Sequence, residues 1–127
     1  MMYSARFVIK EDYETLKQWW IDWNWSPVPP AFLPVNGLMV SNDNDICAGW
    51  VYKTDTPICW IEHIISDKNS KDRGAVVFLI QMLEELAKDL GFKVAMTSIK
   101  NASLMRKMED LGYQKSDTEM TNYVKGL

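Results

Sequence analysis

Only two cysteines, one histidine and no surplus of positive charge are found among these 127 residues, and each shortage removes a class of function. Cys47 and Cys59 stand in β-prone runs without C-x-x-C spacing, so they read as small buried hydrophobes of a reducing compartment. A bond between neighbouring strands is the lesser alternative. His63 has no ligand companions, and no metal is expected. A net charge of -3 leaves no footprint for a polyanion, so nucleic acid is not an expected partner. No apolar run approaches a membrane span, and the opening MMYSARFVI lacks a basic leader and a small-residue cleavage site. A cytoplasmic location off the membrane is therefore expected.

What is present is ordinary for a globular domain: 47% of residues are hydrophobic and 24% charged, enough for a core and too apolar for disorder. Without repeats, low-complexity tracts or linkers, residues 1–127 read as a single domain. Tyr3 to Ile9 is β-prone. Glu11-Asp12 then opens a helix with Tyr13, Leu16, Trp20 and Trp23 on one face. Four prolines between Trp25 and Pro34 impose a loop, a potential lid. Gly37 to Ser41, Ile46 to Lys53 and Ile58 to Ser66 read as three antiparallel strands joined by turns at Asn42 to Asp45 and Asp55 to Pro57.

From Gly74 to Leu90 an apolar stripe of Val76, Ile80, Leu83, Ala87 and Leu90 faces a polar side of Gln81, Glu84, Glu85, Lys88 and Asp89. Gly91 stops that helix. Phe92 to Ile99 is the next strand. Asn101 caps a helix that buries Leu104, Met105, Met108 and Leu111 and ends at Gly112. Gln114 to Glu119 is a polar turn, and Thr121 to Val124 a β-prone close.

The junction from Ile61 to Val77 carries the chemistry. An apolar strand runs into a polar loop with one glycine and then into a helix, whose first N–H groups have no intrahelical partner and whose dipole favours an anion. Lys71 and Arg73 reinforce that sign. Lys71-Asp72-Arg73-Gly74-Ala75-Val76 resembles the R/Q-x-x-G-x-G/A pyrophosphate loop of the GNAT superfamily N-acetyltransferases, with Lys71 for the usual Arg or Gln and Val76 for the last small residue. Asn101 to Tyr113 is similar to the family's N-x-x-A-x-x-x-Y-x-x-x-G-F helix, with Met108 in the place of the Tyr.

The resemblance implies a mixed, mostly antiparallel sheet of six to seven strands flanked by helices, an α/β (α+β) fold with acetyl-CoA in the gap between the fourth and fifth strands. It implies that backbone groups of Ile64, Ile65 and Ser66 hold the pantetheine arm, that N–H groups of Lys71, Asp72, Arg73, Gly74, Ala75 and Val76 hold the pyrophosphate, and that Asn101 contacts the arm. Asn101 reads equally well as a plain N-cap. The implied activity is acetyl transfer to a primary amine of a small molecule or peptide. A homodimer is compatible with the family.

An alkylamine is mostly protonated at neutral pH, so a base assists. Glu62, between Trp60 and Ile64 on one strand face by alternation, is the candidate, with a salt-bridged carboxylate as the alternative. His63 is expected on the other face, as a packed residue. Met108 cannot protonate the departing thiolate, so Ser103, Tyr123 or water would serve. Trp25 and Phe32 beside the prolines, with Trp60, are candidates for an acceptor wall. Two competing readings are a GNAT fold that binds coenzyme without turnover and an unrelated α+β interaction domain with a Trp/Pro surface.

Overall fold

The runs Gly37–Ser41 and Asp45–Tyr52 are apolar at most positions, a pattern that places a strand between two covered faces. Both are buried almost from end to end. The computed structural model describes residues 2–116 and 121–127. Its elements are β1 (Ser4–Phe7), α1 (Tyr13–Asp22), β2 (Gly37–Ser41), β3 (Asp45–Tyr52), β4 (Ile58–Ser66), α2 (Ala75–Asp89), β5 (Val94–Met96) and α3 (Ala102–Asp110). The strands form one sheet in the order β1-β2-β3-β4-β5, antiparallel except for the parallel β4/β5 pair.

Two cores follow from the two faces. Leu38, Val40, Val51, Cys59 and Ile61 pack with Leu79 and Leu83 of α2. On the opposite face Met39, Ala48, Trp50 and Ile65 pack with Leu16, Trp19 and Trp20 of α1, where Trp20 stacks on Trp50 with ring centroids 6.0 Å apart. Each such aliphatic side chain, fully buried, contributes roughly 1.5–3 kcal/mol. The two cysteines are free and buried, and burial pushes the Cys47 thiol up to about 12.

Helix ends follow local chemistry. A 3-10 turn over Lys10–Asp12 precedes α1, and the buried Asp12 accepts the Ile9 N–H at 2.8 Å and both arms of the Arg6 fork at 2.8 Å. Gly91 (φ 94) and Gly112 (φ 97) follow α2 and α3 in left-handed conformations that a side chain would strain. The proline segment holds only a 3-10 turn over Pro30–Phe32. Among the described residues no helix is long and apolar enough to cross a membrane.

The described residues hold five strands rather than six to seven. The strand expected over Phe92 to Ile99 is cut to Val94–Met96, and Thr121 to Val124 form no strand. Tyr123 and Val124 are 92% and 100% exposed, and β propensity without a surface to pack on does not make a strand. Of the polar turn expected over Gln114 to Glu119, the part beyond Ser116 lies outside the described residues.

Candidate active site

Strands β4 and β5 pair only through Ile58, Cys59 and Trp60 with Val94, Ala95 and Met96. β4 continues to Ser66, whereas β5 ends at Met96. The β4 edge beyond Trp60 therefore has no ladder partner on that side among the described residues. The gap expected between the fourth and fifth strands opens at this point.

Within this stretch β4 carries a bulge. Ala48 pairs with Ile65 and Trp50 with Glu62, so three steps on β4 oppose two on β3, and His63 absorbs the extra residue in a left-handed conformation (φ 60). The bulge overturns the strict alternation expected from the sequence. Ile64 packs with the α2 core and does not share the Glu62 face, while Ile65 enters the α1 core. His63 is likewise not turned away from Glu62. Both line one open cavity of about 470 Å³ with Tyr52, Trp60, Ser98 and Tyr123.

The Glu62 carboxylate reaches across the gap, and its Oε1 accepts the Ser98 N–H at 2.9 Å. Burial raises its pKa above the ordinary carboxylate value, and the Ser98 bond opposes that rise. Burial lowers the pKa of His63, whose ring meets Tyr52 edge-on at 5.6 Å. The Tyr52 hydroxyl donates to the Phe32 carbonyl at 2.7 Å and ties the proline segment to the cavity; burial, then the charge of Glu62, raises the Tyr52 pKa.

At the end of β4 the polar loop folds on itself. Asp67 accepts the Asn69 N–H at 2.9 Å, and the Asp72 N–H donates to Ser70 Oγ at 3.2 Å. The Asp72 carboxylate accepts from the Tyr3 hydroxyl, from Asn42 Nδ2 at 3.1 Å and from the Gly74 N–H at 3.1 Å. Gly74 precedes α2 with an ordinary φ of -89, so the reason for glycine is space: a Cβ there would lie 2.7 Å from the Tyr3 oxygen. Two of the expected pyrophosphate donors, the Asp72 and Gly74 N–H groups, are thus used inside the loop. Ala75, Val76 and Val77 supply the first N–H groups of α2, beside the exposed Lys71 and Arg73.

The other sequence candidates are distributed unevenly. Trp60 shares the Glu62 cavity. Trp25 and Phe32 are 47% and 67% exposed and do not line it. The Ser66 carbonyl accepts the Trp23 indole N–H at 2.8 Å. Asn101 Oδ1 caps α3 by accepting the Leu104 N–H at 3.0 Å, the plain N-cap role. Met108 is buried, at 3% exposure. Sequence reasoning missed Tyr3, Asn42, Tyr52 and Ser98, whose roles come from contacts far along the chain.

No family model matches the sequence, and no curated protein does. Solved structures do match. N-acetylglutamate synthase from Neisseria gonorrhoeae, complexed with coenzyme A and N-acetyl-glutamate, superposes with TM-score 0.78 at 12% identity over 92% of this chain. The chain spans 29% of that protein's length. A transcriptional regulator from Bacillus halodurans C-125 gives TM-score 0.75 at 14% identity, covering 97% of this chain and 100% of its own. A putative acetyl transferase from Pyrococcus furiosus gives 0.71 at 17%, again with 97% and 100% coverage. The splayed β4/β5 pair, the loop entering α2 and these superpositions together show that the chain has a GNAT-like fold, the mixed sheet it shares with these structures.

Proposed function

We propose that the protein moves an acetyl group from acetyl-CoA to a primary amine of a small molecule or peptide. The observation that carries this reading is the opening of β4 from β5 with Glu62 set across it. On one side lies the cavity of Glu62 and Trp60; at the end of β4 lies the loop entering α2. The donor set fits the cosubstrate. Ala75, Val76 and Val77 offer N–H groups at a helix N-terminus, Lys71 and Arg73 offer charge for a diphosphate, and the open edge from Glu62 to Ser66 offers backbone groups to a pantetheine arm.

The thioester supplies an already activated acyl group. The protein's task is placement and proton transfer: the ammonium gives one proton to Glu62, directly or through water, and becomes the free amine; as its nitrogen bonds to the carbonyl carbon and the carbon–sulfur bond breaks, the nitrogen releases its second proton to solvent. Its raised pKa makes Glu62 a stronger base than an exposed carboxylate. The departing thiolate takes a proton from solvent or from a nearby hydroxyl such as that of Tyr123, since Met108 cannot give one.

The burial of Met108 favours a second reading, a GNAT-fold module that binds coenzyme A with little or no turnover. Thiol release separates the two. Acetyl-CoA incubated with a panel of primary amines frees coenzyme A in an enzyme-dependent way under the first reading. Tight coenzyme binding with no thiol release from any amine supports the second.

A further inference from the structure

The cavity beside Glu62 has a composition that selects among amines. Tyr52, Trp60 and His63 line it together with Ser98, Asn122 and the exposed Tyr123, so four of its seven lining residues are aromatic, and Glu62 is the only acidic side chain in its lining among the described residues. No lysine or arginine lines it there. The Tyr52 hydroxyl is committed to the Phe32 carbonyl, so the ring rather than the hydroxyl is what Tyr52 has to offer. Glu62 Oε1 holds the Ser98 N–H, which leaves Oε2 to receive an ammonium group. The volume of about 470 Å³ suits one small molecule.

We propose that the acceptor is a primary amine on a flat, uncharged aromatic body, an arylalkylamine in chemical class. The inference rests on the acetyltransferase reading and narrows its acceptor. The Glu62 carboxylate matches the ammonium, and aromatic side chains receive an aromatic body and the cation next to it. A polyamine brings no ring to fill such a wall. A phosphorylated amino sugar brings an anion, and among the described residues no lysine or arginine lines the cavity to meet it. Burial also shifts the pKa of His63 downward, disfavouring the charged ring that would repel an incoming cation.

Calorimetric titration with phenethylamine, tryptamine, spermidine and glucosamine 6-phosphate, with and without coenzyme A, tests this, alongside kcat/KM for thiol release with each. The arylalkylamines are expected to bind, and to react, at least about tenfold better than the other two, a difference that ring contacts of this kind supply. Trp60→Ala should weaken phenethylamine about tenfold while acetyl-CoA affinity stays the same. Tyr123→Ala repeats the test at an exposed position where folding is not at stake. Preference for spermidine or the sugar phosphate, equal treatment of all four, or no binding of either arylalkylamine overturns the proposal. Failure of the acetyltransferase reading shows separately, as absence of coenzyme binding and of thiol release with every amine.

Discussion

Glu62→Gln is the perturbation with the most to say about mechanism. Glutamine keeps the shape and can still accept the Ser98 N–H that Glu62 Oε1 accepts at 2.9 Å, so the gap geometry survives while the base is lost. Loss of a general base costs about 10²–10⁴ in rate. The pH dependence carries the proof. With an alkylamine pKa near that of lysine, about one molecule in 2,500 is unprotonated at pH 7 and about one in 25 at pH 9. The variant relies on that free fraction, so its kcat/KM should climb about a hundredfold between these pH values. The wild type should climb much less. Stability should move the other way. Burial raises the Glu62 pKa in the folded state, so the carboxylate penalises folding once pH has passed the folded value; Gln carries no such penalty and should melt higher at pH 7. Thiol-release kinetics and a melting curve read both effects. A variant with the wild-type rate and profile would refute the assignment of Glu62 as the base.

Asp72→Ala removes the acceptor shared by Tyr3, Asn42 and Gly74; it should lower the melting temperature and weaken acetyl-CoA binding together, both read by calorimetry, whereas Asp72→Asn should retain more of each. Met108→Tyr inserts extra volume at a 3% exposed position and should cost about 1–3 kcal/mol in urea unfolding, with no gain in rate. The Arg6 guanidinium holds the Asp12 carboxyl below its ordinary 3.8. A depressed folded pKa gives stability that is present above the unfolded value and lost as pH falls through the folded one. Acid titration of stability should therefore show an extra loss below about pH 4 that Asp12→Asn lacks.

Much of this architecture was legible because it is locally encoded. The bounds of Gly37–Ser41 and Ile58–Ser66 match the observed β2 and β4, and the amphipathic stripe and stop glycine of α2 follow from spacing alone. The bulge at His63 was not legible. Cys59, Trp60, Ile61, Ile64 and Ile65 surround it with bulky residues on both faces, so no break in alternation marks where one residue is added. That single insertion places His63 in the Glu62 cavity and Ile64 in the α2 core. The Asp72 tether was also hidden, because Tyr3 stands 69 positions away in sequence. So was the Glu62 bond to Ser98, which spans 36 positions. The strand expected at Thr121 to Val124 failed for the opposite reason: local propensity was present and a packing surface was not.

Acetyl-CoA binding is the measurement on which the whole account turns. The melting temperature is recorded with and without acetyl-CoA at about a hundred times Kd, where one site stabilises the fold by about 2.7 kcal/mol. The account predicts a rise of several degrees that is lost when Lys71 and Arg73 are both replaced by alanine. No rise at millimolar acetyl-CoA would contradict it, leaving a GNAT fold with no acetyl donor.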